Sequence, residues 1–208
     1  MVTKESIGHY WNYAELLNEQ LGKTAQYIEP DKNNYGTYSV AYTNILLSAC
    51  SEIEVVTKLI CQIIDPDVDY LSAKVFNKSR TKKVKNKVSM EKLSAALLKR
   101  FPHIYQAKAE IITKHEMIYP FESWKETNCE LPWWKAYNMV KHYRYNYFNN
   151  ATLENTLNSV AALIILNSYL YELVMEEHAP RMSRIGMFDN CYSYCGLVIQ
   201  PDEKLPDM

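Results

Sequence analysis

The sequence predicts an all-α protein, a single up-and-down helical bundle of four to six helices, with a small irregular or short-strand C-terminal appendage. The bundle is expected over residues 1–180 and the appendage over 181–208. Three observations lead there. Glycine is scarce, 5 in 208 residues, which argues against a turn-dense all-β fold and against a glycine-rich cofactor loop. Apolar residues recur at helical spacing through 39–64 and 152–176, and in both stretches they cover more than one face, the pattern of a helix in the middle of a bundle. At 48% hydrophobic and 23% charged residues, the chain has the balance of a folded domain with one substantial core.

Taken in order, residues 6–28 read as a helix through Tyr10, Tyr13 or Ala14, Leu17, Leu21 and Ala25, stopped at Glu29-Pro30 because the residue before proline is pushed out of the helical region. A loop, 31–38, follows. Ser39 is the expected N-cap of the next helix, which runs to about Ile64. Glu52, Glu54 and Lys58 interrupt its apolar surface. Glu54 and Lys58 form an i,i+4 pair, and a buried glutamate here would need a cation, for which His142 and Arg144 are the candidates. The segment 65–70 breaks the helix, and the basic run 77–88 reads as a loop. Ser89 caps a short helix with Glu91 in its first turn and Lys99-Arg100 in its last, as the helix dipole prefers. Residues 104–118 are expected to form one more short helix or an irregular connector. Beyond them Tyr119 to Pro132 folds back over the core through its aromatics. Thr152 caps the most apolar helix, through about Glu176, where Ala161 and Ala162 allow close approach. The tail from Pro180 suggests one or two short strands or an irregular wrap.

Net charge is −1, but its distribution is uneven. From Lys74 to Arg100 ten lysines and arginines face the single acid Glu91, a net of +9 that leaves −10 for the rest. Such a block is either a solvated surface or the footprint of a polyanion-binding protein, with Lys82, Lys83, Lys85 and Lys87 at its centre. The five cysteines are scattered and odd in number. With no N-terminal signal pattern and no bilayer-length apolar run, they point to a reduced, cytoplasmic setting without a membrane. Cys191-x3-Cys195 lacks a second pair, so no metal site is expected, and no cofactor either. His9, His103, His115 and His178 have no ligand spacing and stay unassigned.

The chemistry concentrates in 131–150, LPWWKAYNMVKHYRYNYFNN. On a helix over 135–145, Asn138 and His142 share a face one turn apart, and Lys141 and Arg144 are also neighbours. An imidazole, an amide and two cations beside aromatic rings describe either an ordinary surface helix with aromatic anchors or an anion-binding, RNA-processing site. Trp133 and Trp134 read as core plugs, in competition with a base-stacking platform. Tyr is frequent, 17 residues, and suits surfaces half apolar and half wet.

At YNMVKHYR, followed by ATLENTLNSVAALIILNSYLY, the chain resembles the HEPN group (higher eukaryote and prokaryote nucleotide-binding domains), over the 39–64 helix and 131–175. Many of that group are metal-independent RNases of toxin–antitoxin, CRISPR and anti-phage systems, dimers that face two copies of an arginine–polar–x3–histidine motif. Here Tyr137 stands at the arginine position, and Asn138 and His142 match the polar residue and the histidine. The resemblance implies an RNA-directed homodimer with a cognate antitoxin or regulatory partner. In it His142 is acid/base, since histidine titrates near about pH 6.5. Asn138 orients it or the phosphate, Arg144 supplies the missing cation, and Lys141 and Tyr137 contact RNA. The alternative is a non-catalytic helical module that binds a partner protein or a nucleotide.

Overall fold

The computed structural model describes residues 3–71, 88–111, 113–126, 130–175 and the backbone of 197–198. Five helices account for most of it: α1 (Lys4–Thr24), α2 (Val40–Ile64), α3 (Met90–Arg100), α4 (Pro132–Tyr147) and α5 (Leu153–Met175). Each start has a local reason. Thr3 and Ser6 form a reciprocal capping box on α1. Ser39 accepts the Tyr42 amide at 3.1 Å on α2, Ser89 the Lys92 amide at 3.4 Å on α3, and Thr152 the Asn155 amide at 3.2 Å on α5. In α4 the job falls to Pro132 in the first turn, where a missing N–H costs nothing.

α1, α2, α4 and α5 form the expected up-and-down bundle. A bridge between Tyr38 and Thr152 sets the starts of α2 and α5 side by side, so these two run parallel. Trp11 of α1 meets Tyr171 near the end of α5, ring centroids 5.8 Å apart, which makes α1 antiparallel to both. Between Trp11 and Leu170 the core runs through the middle of the bundle. Every side chain of α5 from Ser159 to Leu170 is buried, including Asn167 and Ser168. Those two polar groups are satisfied by their own helix: Asn167 donates to the Leu163 carbonyl at 2.9 Å and Ser168 to that of Ile164 at 3.1 Å. The 31–38 loop also takes part. Carbonyls of Thr37 and Tyr35 accept the Leu153 and Glu154 amides at 2.8 and 3.2 Å, which fills N–H groups that a helix start otherwise leaves open.

Among the described helices α5 alone is long and apolar enough to cross a bilayer, contrary to the sequence expectation that no run reaches that length. Its most apolar stretch is 72% buried, so the bundle itself accounts for the composition.

Residues 104–118 differ from the short helix allowed above. A 3-10 turn at Ile104–Gln106 leads into a hairpin of β1 (Ala109–Ile111) and β2 (Glu116–Ile118), with His115 at φ 52 in the turn. Ala109, Ile111 and Ile118 point inward, a period of two that outweighs the weak helical spacing there. A third strand, β3 (Leu197–Val198), pairs antiparallel with β1, giving the order β2-β1-β3. The hairpin is tied to the 29–35 loop by Lys114–Glu29 at 2.7 Å and by Glu116, which accepts from the Tyr35 hydroxyl at 3.0 Å and pairs with Lys32 at 3.2 Å. The first helix is also shorter than expected, the last residues before Pro30 forming turns instead.

Candidate functional site

α4 carries the site and divides into two halves of different character. In its first half Trp133, Trp134, Ala136, Tyr137 and Val140 face the bundle. Trp133 is 2% exposed and its indole N–H donates to the Pro120 carbonyl at 2.7 Å. Its ring meets Phe121 and Trp134 edge-on at 6.3 and 6.0 Å. It is a core plug, and it anchors the 119–126 loop.

Tyr137, at the motif's arginine position, is buried at 2% exposure, with its ring 4.9 Å from that of Trp134. Its face is therefore closed to a nucleobase. The hydroxyl accepts a hydrogen bond from the Lys141 ammonium at 2.7 Å, and that ammonium also lies 4.9 Å from the ring centre. This hydrogen bond, with Glu54 and Cys50 adding to it electrostatically, pushes the Lys141 pKa above the usual lysine value. Lys141 is exposed along its length, but its charge is anchored to the seam between α4 and α2. Glu54 pairs with Lys58, one turn along α2, as the i,i+4 spacing predicts, and among the described residues it has no ion pair with His142 or Arg144. Glu52 is half-buried and its pKa is raised by desolvation alone. Burial likewise pushes the Cys50 thiol far up and Cys61 to about 12, so neither is a nucleophile near neutral pH.

The second half of α4 turns outward. Lys141, His142, Tyr143, Arg144, Tyr145 and Asn146 are all exposed, Tyr145 at 99%. Asn138 is half-buried one turn before His142, on the same face as expected, since the helix is regular from 138 to 142. Between Lys141 and Arg144 the helix is not regular. Tyr143 has φ −136 and ψ 42, which breaks the regular helical step between them. The imidazole of His142 makes no hydrogen bond or ion pair to any described residue, and its nearest ring is Tyr143 at 6.4 Å. Beyond it Tyr143 and Tyr147 are 6.3 Å apart, and Phe148 meets Tyr38 edge-on at 5.7 Å. An aromatic surface thus runs from the end of α4 to the start of α2. Tyr38, 51% exposed, is the member that sequence spacing had no means to place, because it arrives from a loop over a hundred residues away.

Lys82, Lys83, Lys85 and Lys87 lie outside the described residues, as does the Cys191–Cys195 pair. Among the described residues no group of three or more His, Cys, Asp or Glu is placed to hold a metal ion. His115 pairs with Glu110 at 2.7 Å, and His103 packs against Tyr105, so both have local roles.

A second feature was not foreseen from the sequence. At the other end of α4, about 12 Å from His142 along the helix axis by the 1.5 Å rise per residue, a cleft of about 540 Å³ opens between α3 and Trp134. Met90, Leu98, Trp124 and Leu131 line it with Trp134, and Glu91 and Glu130 join them. The helical spacing of Met90, Ser94 and Leu98 was a legible signal of one shared face.

No protein-family model, curated relative or solved structure matches this chain.

Proposed function

We propose that the protein is an RNA-directed, HEPN-like helical bundle acting as a metal-independent endoribonuclease in a bacterial defence or toxin–antitoxin setting. The observation that carries this reading is the imidazole of His142. It is exposed, unbonded to described residues, and flanked by Arg144, Tyr143 and Tyr145 on one outward-facing segment.

RNA cleavage of this kind deprotonates a ribose 2′-OH, whose oxygen attacks the phosphorus while the 5′-oxygen leaves with a proton. A 2′,3′-cyclic phosphate and a 5′-hydroxyl result. One imidazole cannot be base and acid in the same step. Two copies of the α4 terminus facing each other across a two-fold axis supply both, and they enclose the phosphate between convex helix ends. In this arrangement His142 of each subunit exchanges a proton, and Asn138, one turn earlier, orients the ring or the phosphate. Among the described cations of this segment, Arg144 is the one to meet the phosphate, because Lys141 is held by Tyr137. Exposed Tyr143 and Tyr145 offer faces for bases.

A second reading, a non-catalytic module that binds a partner protein or nucleotide, is favoured by one observation. Position 137 is buried and occupied by tyrosine, so the motif's own cation is missing there. Purified protein incubated with total RNA in EDTA separates the two. The nuclease reading expects cleavage that persists in EDTA, ends in cyclic phosphate and is lost in His142→Ala, with a dimer by light scattering. Intact RNA, or cleavage unchanged in His142→Ala, leaves the module.

A further inference from the structure

The cleft at the start of α4 belongs to neither half of that mechanism. Its volume, about 540 Å³, lies within the roughly 300–1,000 Å³ of small-molecule sites. Met90 and Leu98 of α3 form one apolar wall, and Trp124 and Trp134 form the other. Trp124 is held from behind by Phe121, stacked at 5.0 Å, and Trp134 by Trp133 and Tyr137, so both indoles are set in place before any ligand arrives. The charges among the described lining residues are of one sign: Glu91 and Glu130 line the cleft, with no lysine, arginine or histidine among those residues. The nearest cation paired with either, Lys135, reaches Glu130 only at 3.8 Å, and both side chains are more than half exposed. Electron-rich indole faces and two carboxylates around an apolar hollow attract a positive charge and repel an anion.

We propose that this cleft binds a small organic cation, an ammonium or delocalised positive charge carried on an apolar body. The apolar body fills the space between α3 and the indoles, and the charge lies toward Glu91 and Glu130. The site is separate from the α4 terminus and stands whether or not the protein cleaves RNA.

The test uses the full chain and benzyltrimethylammonium as probe, with benzyl alcohol as the neutral and phenylacetate as the anionic counterpart. The indole N–H signals of Trp11, Trp124, Trp133 and Trp134 are followed by two-dimensional nitrogen–proton NMR. Saturable shifts of Trp124 and Trp134 with Trp11 unmoved, and binding of the cation at least about tenfold tighter than the alcohol, support the site. The Glu91→Gln/Glu130→Gln variant changes only exposed carboxylates and is expected to fold, with an unchanged circular dichroism spectrum. It should lose most of the preference for the cation over the alcohol. No saturable shift, equal affinity for cation and alcohol, or a preference untouched in the double variant overturns the proposal.

Discussion

Replacing Trp133 tests whether the first half of α4 is structural. Burying an indole removes roughly 150–250 Å² from water, which at about 25 cal/mol per Å² corresponds to ~4–6 kcal/mol. Truncations of core tryptophans to alanine fall at about 3–5 kcal/mol. Trp133 is 2% exposed and also donates to the Pro120 carbonyl at 2.7 Å, a bond that alanine cannot replace. Trp133→Ala is therefore expected to cost about 4–5 kcal/mol, a large part of the ~5–15 kcal/mol that holds a typical domain together. Trp133→Phe keeps most of the ring packing against Phe121 and Trp134 but loses the hydrogen bond, and should cost about 1–2 kcal/mol. Urea titration followed by far-ultraviolet circular dichroism measures both, since that signal does not depend on the indole being replaced. A loss below about 1 kcal/mol for Trp133→Ala, at unchanged m-value, would refute the core assignment and return the ring to the surface.

Three further expectations follow from the same geometry. Tyr137→Phe removes the acceptor of the Lys141 ammonium and should lower the Lys141 pKa toward the ordinary lysine value, with a stability loss of about 1 kcal/mol or less because that ammonium is exposed; an unmoved titration of the Lys141 side-chain signal by NMR counts against the hydrogen bond. Glu52 binds its proton more tightly folded than unfolded, so it takes stability away as pH rises from the ordinary glutamate value through its raised one, and holds that cost at neutral pH. Glu52→Gln should thus raise the melting temperature at pH 7 but not below pH ~4, and an equal effect at both pH values would show that charge burial is not the cause. Ser39→Ala removes the α2 cap and should cost about 1 kcal/mol in the same urea assay, with no loss if the Tyr42 amide is served by water.

Most of the scaffold was legible because it rests on local chemistry. Caps at Ser39, Ser89 and Thr152 and the apolar runs behind them need only neighbouring residues, and each helix begins where its cap stands. The hairpin within 104–118, expected as a short helix or an irregular connector, is not legible in the sequence because strands of three residues leave too short a pattern to tell a period of two from one of 3.6. The sequence also placed Asn138 and His142 on one face, which needs only a regular helix between them.

Which side of α4 meets solvent was decided elsewhere. The side chains of Tyr137 and His142 are both polar and aromatic; five residues apart, they lie about 140° apart around the helix, but nothing local decides which of the two faces is buried. Packing does: Tyr137 is buried against Trp134, while His142 lies on the solvent side of the regular helix and the bend at Tyr143 comes before the exposed Arg144 and Tyr145. Sequence by itself determined the helices and the set of groups available for chemistry, because capping and periodicity are short-range. Only the tertiary structure decided that the lysine is tied down and the imidazole exposed, because burial depends on elements distant in the chain.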